Sequence, residues 1–411
     1  MVTSKPGLGP PHPARVLVGQ SVVTLGVFAT NAGMISVLLP SRVSALDPGG
    51  KVADLAVVLT IGSILTAFAQ PLVGALSDRT RSPFGRRAPW MAVGAVLGGL
   101  AVGLAGGAGS VPLLVILWAI AQPAISAVQV SSDAFLVDAF PEHRRGRAAG
   151  IVGLSVVLGS AVGAVVSGVL IARGASAFWA LAAALVGTVA VFVVIVRDTV
   201  APVVRPRERL RAAARAIVST IAVHPDYLKI MLWRFAYSIA YGAVFTYLLY
   251  LLTDLVGVSP ERAGPLIALA TVLGGGGALL SVFAGGWLSD RLARRRPFLL
   301  IGNAALLAGD AVLLTFRTVP AALVMATLFG LGLGLSISCG RALASQLLPD
   351  QAHGAAAGLG ILNTVANVGQ AIAPAIGAAA ITAAGYPAVL VTSMVGAALC
   401  CVAVALIRTI R

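Results

Sequence analysis

Gln122, Ser126, Gln129 and Asp133 follow one another at spacings of 4, 3 and 4 inside a long apolar run. That spacing puts all four on one face of a helix. The amides offer both donors and acceptors, and the carboxylate can take up and release a proton. A second polar face carries Asn363, Asn367 and Gln370, and a third carries Gln20, Thr24 and Asn31. Arg234, Tyr237 and Tyr241 share a fourth, with Trp233, Phe235, Phe245, Tyr247 and Tyr250 nearby. Such groups suit a neutral polar solute such as a sugar, and the tyrosine rings could stack on one. The same groups also serve helix–helix hydrogen bonds and interface anchoring. Nothing here resembles covalent catalysis. His12, His143, His224 and His353 all lie in or near loops, and no Ser/His/Asp set or G-x-x-x-x-G-K-S/T loop occurs. Cys339, Cys400 and Cys401 sit in apolar runs without metal or disulfide spacing. An enzyme, an ATP pump, a bound metal and a cofactor are all unexpected.

The elements that must position these residues follow from composition. Of 411 residues, 58% are hydrophobic and only 10% are charged, against roughly a quarter charged in soluble domains. A spanning helix takes ~20 apolar residues, so twelve fill most of the chain and leave no room for a large soluble domain. The expected spans are 16–40, 53–76, 90–108, 111–139, 147–172, 177–197, 228–253, 263–288, 298–316, 320–347, 355–382 and 386–408. They must be helical, because lipid offers the backbone no hydrogen-bond partner. Residues 1–15, with Pro6, Pro10, Pro11 and Pro13, read as a flexible tail. Residues 16–197 and 228–411 form two six-helix halves, joined by a loop at 198–227. Within that loop, 205–215 is either a basic amphipathic helix on the inner leaflet or a solvated linker.

The net charge of +15 does not point to nucleic acid, because the charges cluster in short loops between apolar runs. With both termini placed in the cytoplasm, 22 of the 29 Lys and Arg fall inside and five outside. The other two, Arg234 and Arg341, lie within spans. That bias predicts a multi-pass protein of the cytoplasmic membrane with both termini inside. Its partners are then lipid and a small-molecule substrate, and a monomer suffices.

The loops repeat. Arg86, Arg87, Pro89 and Gly94 return 208 residues later as Arg294, Arg295, Pro297 and Gly302. Pro141 and Gly150 return at the same offset as Pro349 and Gly358, and Leu76–Arg79 returns as Leu288–Arg291. Paired six-helix repeats place a substrate site near the midplane between the halves. At the offset of 208, Asp133 is matched by Arg341, an opposite charge.

The stretch from Gly74 through Asp78, Arg79, Arg81, Gly85, Arg86 and Arg87 to Trp90 resembles the second-loop signature of the major facilitator superfamily. Its longer form, SDRTRSPFGRRAPW, and 341-RALASQLLPD-350 are similar to one branch. That branch holds the glycoside–pentoside–hexuronide cation symporters, with the melibiose carrier and plant sucrose carriers as relatives. The resemblance implies an all-α membrane protein with twelve transmembrane helices in two pseudo-symmetric six-helix bundles. It also implies that helices 1, 4, 7 and 10 line a central cavity. Asp133 and Arg341 are then expected to face each other, either as a proton-coupling pair or as a fixed tie. Asn31, Gln122, Ser126, Gln129, Tyr241, Asn363 and Asn367 are expected at the substrate. Gly74, Asp78, Arg79, Arg86, Arg87, Asp138, Asp290 and Arg291 are expected to act as gates on the cytoplasmic side. The two loop Asp residues would cap neighbouring helices. Asp310, on the ninth span, is expected at the periphery, paired or partly hydrated.

Two departures bear on function. Thr66 and Gln70 stand where sodium-coupled members of the branch carry carboxylates, which favours a proton as driving ion. Ala164 replaces the proline that proton-driven exporters carry on helix 5. The expected function is therefore proton-coupled symport of a sugar or glycoside by alternating access. Proton-driven export of drugs or metabolites is the alternative.

Overall fold

The computed structural model describes residues 13–77, 79–82, 85–140, 142–196, 225–292, 294–340, 343–344 and 355–407. Among the described residues every regular element is a helix. The spans are α1 (Ala14–Leu46), α2 (Lys51–Ser77), α3 (Ala88–Ala105), α4 (Val111–Ala139), α5 (Glu142–Leu170) and α6 (Ala175–Ile195). They continue with α7 (Pro225–Thr246), α8 (Pro260–Leu292), α9 (Arg296–Phe316), α10 (Val319–Gly340), α11 (Ala355–Ala384) and α12 (Pro387–Ala405). After Thr246 the chain bends by 51° into Leu248–Leu255, which completes the seventh crossing. Eleven helices are long and apolar enough to span alone, and the bent pair makes twelve. Phe68, Phe283 and Trp287 are 73%, 62% and 62% exposed. Large apolar side chains turned outward fit a lipid surface rather than water.

The repeated loop motifs have one local cause. Pro89 and Pro297 each sit in the first turn of their helix, where a missing N–H costs nothing. The preceding residues, Arg87 and Arg295, hold nearly the same backbone, with φ of −108° and −101° and ψ of −31° in both. The recurrence at an offset of 208 is thus a recurrence of structure.

The chain divides into two compact units. One holds the described residues of Met1–Gly33, Ile64–Gly163 and Arg173–Val204. In it α3 packs on α4 and α6, and α1 packs on α6 and α4. A Cβ at Gly163 would collide with the Ala29 carbonyl, so glycine sets the approach of α5 to α1. The other unit holds Met34–Ser63, Ala164–Ala172 and the described residues of Arg205–Arg411. There α10 packs on α8 and α9, while α7 packs on α11 and α12. Gly330 meets the Gly274 carbonyl in the same way.

Three π-helical turns interrupt the second unit: Met34–Leu38 in α1, Leu251–Leu255 after the bend of α7, and Ser336–Gly340 in α10. A π turn fits one extra residue into a helical turn and re-aims the side chains beyond it, commonly at functional sites.

Candidate functional site

In the second unit α7, α10 and α11 enclose a cavity of about 170 Å³. Trp233 and Arg234 come from α7, Ser336 and Gly340 from the π turn of α10, and Leu362 and Asn363 from α11. Arg234 Nη1 donates to Ser336 Oγ at 3.4 Å. Gly340 lies against the Trp233 ring, where a Cβ would clash. Trp233 Nε1 donates to Asn303 Oδ1 of α9 at 3.3 Å. Among the described residues lining the cavity Arg234 is the charged one, and Ser336 and Asn363 add a hydroxyl and an amide. These are hydrogen-bond partners for a hydroxyl-rich or anionic solute.

Above Arg234 the aromatic side chains of α7 form a column at i, i+4 spacing. Trp233 and Tyr237 have ring centroids 5.9 Å apart, and Tyr237 and Tyr241 stack at 6.3 Å with planes 10° apart. Tyr241 also stacks on Phe245 at 5.8 Å and meets Phe329 of α10 at 5.9 Å. It is half-buried, while Tyr237 is buried with its hydroxyl unpartnered among the described residues. Asn363 and Asn367 are exposed on α11, and Asn363 reaches the cavity wall.

In the first unit the polar stripe of α4 is not uniform. Ser126 is buried with an unpartnered hydroxyl, Gln122 and Gln129 are half-buried, and Asp133 is exposed. Gln20 Nε2 of α1 donates to Asp133 Oδ1 at 3.4 Å, and the other Gln20 amide atom, Oε1, has no partner among the described residues. Asn31 Oδ1 and the Ser21 hydroxyl are likewise buried without one. A run of unused polar atoms therefore follows α1 beside α4, with an ionisable group at one end.

The expected partner Arg341 lies outside the described residues, as does Asp78, so the structure describes neither the Asp133–Arg341 pair nor the Asp78 cap. Asp138 and Asp290 fall within α4 and α8, but their side chains are outside the described set. The other loop residues are placed. Gly85 takes φ +97°, a conformation that glycine accepts readily. Trp90 Nε1 donates to Thr80 Oγ1 at 2.8 Å and closes the loop on itself. Arg86 and Arg87 are buried and engaged, and Arg79 is exposed. Arg291 lies over the Trp287 ring at 5.3 Å. A Cβ at Gly74 would touch only Val130, at 3.9 Å, so crowding does not explain that glycine.

One expectation is corrected. Asp310 is neither peripheral nor hydrated: it has no accessible surface, and the Ser393 hydroxyl is the polar group beside it. Its position on α9 faces the interior of the packed helices.

A further cluster escaped the sequence. Lys51 Nζ lies 2.7 and 2.9 Å from the two Asp254 oxygens and 4.9 Å over the Tyr250 ring. The Tyr250 hydroxyl donates to the Pro40 carbonyl at 2.9 Å, and Tyr247 donates to the Pro374 carbonyl at 2.8 Å. Burial and the nearby Asp254 carboxylate push the Tyr386 phenol up to about 12. Lys51 and Asp254 are 203 residues apart, and no local pattern announces such a pair.

The sequence matches the Major Facilitator Superfamily over residues 22–283 and 266–411. The chain belongs to that superfamily; it is a multi-pass membrane transporter of small solutes, not an enzyme. It is 32% identical over 288 residues to "Probable nitrate/nitrite transporter NarK2" of Mycobacterium tuberculosis, a match covering 66% of each chain. Its fold is similar to that of the nucleoside transporter NupG, with a TM-score of 0.76 at 11% identity, covering 95% of this chain and 98% of the other. It is also similar to a D-xylose-proton symporter, with a TM-score of 0.67 at 16% identity, covering 94% and 97%.

Proposed function

We propose that this transporter is a proton-coupled symporter of a small hydroxylated solute, a sugar or glycoside, working by alternating access in the cytoplasmic membrane with both termini inside. The observation that carries the reading is the cavity where Arg234, Ser336 and Asn363 converge beside Trp233. Its donors and acceptors match hydroxyl groups, and the Tyr237–Tyr241 column offers flat faces on which a sugar ring stacks. Asp133 supports proton coupling, because an ionisable side chain on a spanning helix is costly unless it does work. Gln20 holds it in place without neutralising it.

A second reading has its own support. Among the described residues the charge on the cavity wall is the Arg234 guanidinium, and a relative is named for nitrate and nitrite. A small oxoanion would use the same guanidinium in bidentate fashion.

The test uses purified protein in liposomes holding a trapped pH dye. Acidification of the lumen when a sugar is added outside supports the first reading. Acidification with nitrate or nitrite and not with sugars replaces it with the second. Alkalinisation when an amphipathic drug meets an acid-loaded lumen overturns both in favour of export.

A further inference from the structure

Asp310 stands in the middle of α9, which packs against α10 and α12. Its carboxylate has zero accessible surface and no charged partner among the described residues. Ser393 of α12 lies beside it, buried as well, and its hydroxyl is the polar group placed to hydrogen-bond the acid. No cation faces it. Residues 319–340 of α10 and 387–405 of α12 contain no Asp, Glu, Lys, Arg or His. The titratable groups on those two helices are the thiols Cys339, Cys400 and Cys401. On α9 itself the charges sit at the ends, where Arg296 donates to the Ala405 carbonyl and Arg317 to the Leu314 carbonyl.

A bare carboxylate in such a place costs many kcal/mol. Three resolutions exist: a counter-charge, a bound metal cation, or a proton. The first is missing from the elements packed around it. The second needs several oxygens, but Ser393 supplies one and the Asn303 oxygen already accepts from Trp233. The proton requires nothing more, and it turns the acid into a donor for Ser393.

Asn303 lies seven residues from Asp310 on the same face of α9, about 10 Å along the helix. It is buried, and its amide lies within hydrogen-bonding reach of the Cys401 thiol. Its oxygen holds Trp233, which lines the cavity. A buried amide thus stands between the buried acid and the cavity wall.

We propose that Asp310 is an exchangeable proton-binding site of the C-terminal half, joined to the cavity through Asn303 and Trp233. The link gains its meaning from the reading of that cavity as a substrate site; the proton site itself does not depend on it.

Dicyclohexylcarbodiimide tests it on the unmodified protein in lipid vesicles. The reagent adds to a carboxylic acid: the acid oxygen bonds the central carbon and the acid proton passes to nitrogen. An acyl shift to nitrogen then leaves a stable acylurea, with nothing lost. Peptide mass analysis should find Asp310 labelled at about pH 6, and about tenfold less at about pH 10. No label at acid pH would mean an ionised group and overturn the proposal. Equal label at both pH values would mean a proton that never leaves, and would overturn exchange. Asn303→Val should slow the response of labelling to a pH jump, and an unchanged response would remove the link. No substrate enters this experiment, so a silent transport assay and a failed labelling are separate results.

Discussion

At the scale of single residues, Asp133 and Arg234 differ in what surrounds them. Asp133 has a weak amide contact and an exposed face. Replacing it with Asn keeps the shape and removes the proton. Asp133→Asn should abolish proton-driven accumulation of substrate while sparing solute exchange across the same liposome; intact accumulation would sink its coupling role. Arg234 works through geometry, since its planar fork reaches both Ser336 and the cavity. Lysine keeps the charge and loses the fork. Arg234→Lys should raise KM about tenfold, with a smaller change in kcat, the mark of lost binding. Both residues were visible in the sequence as charges inside apolar runs. Asp310 was visible too, but its setting was not. Whether a polar side chain on a span meets lipid, water or other helices depends on which neighbours its face meets, and the sequence of 298–316 does not name those neighbours.

Among the elements, the end of α7 beyond its bend is held by an ion pair, a cation–π contact and a tyrosine hydrogen bond. Lys51, Tyr250, Asp254 and Pro40 join the turns of 248–255 to the residues around the α1–α2 connection. The ion pair is partly exposed, at 17% and 31% of side-chain surface, so its net worth is about 1 kcal/mol. That is enough to bias a transport cycle about fivefold if the pair breaks in one state. Lys51→Asp and Asp254→Lys should each change the transport rate, and the double exchange should bring it back toward the parent value. Failure of the exchange to restore the rate would leave the pair as decoration. The spans themselves were legible, because length and hydropathy fix them to within a few residues. The Lys51–Asp254 pair was not, because contact across 203 residues is a property of packing and leaves no local trace.

At the scale of the whole chain, the 22-to-five distribution of Lys and Arg predicts which loops face which compartment. A cysteine placed in 173–176 should react with an impermeant maleimide added to intact cells. One placed in 80–82 should react only after the membrane is opened. Reversed labelling would overturn the proposed orientation. The background is favourable, since Cys339 and Cys400 are buried. The repeat was the most informative feature at this scale: Pro89 and Pro297 announce helix starts that the structure places in matching conformations.

The three π turns carry a consequence for how the chain breathes. In a regular helix each amide is locked by the carbonyl four residues back, and it opens only when a whole turn frays. A π turn closes a wider ring, with a poorer bond and a neighbouring carbonyl left over. Met34–Leu38, Leu251–Leu255 and Ser336–Gly340 are therefore points where isotope exchange should enter helices that are otherwise protected. Deuterium uptake followed by mass spectrometry should show three short fast patches inside slow spans. Where uptake in those patches changes on adding a solute, the solute has found its transporter, even before any transport has been measured.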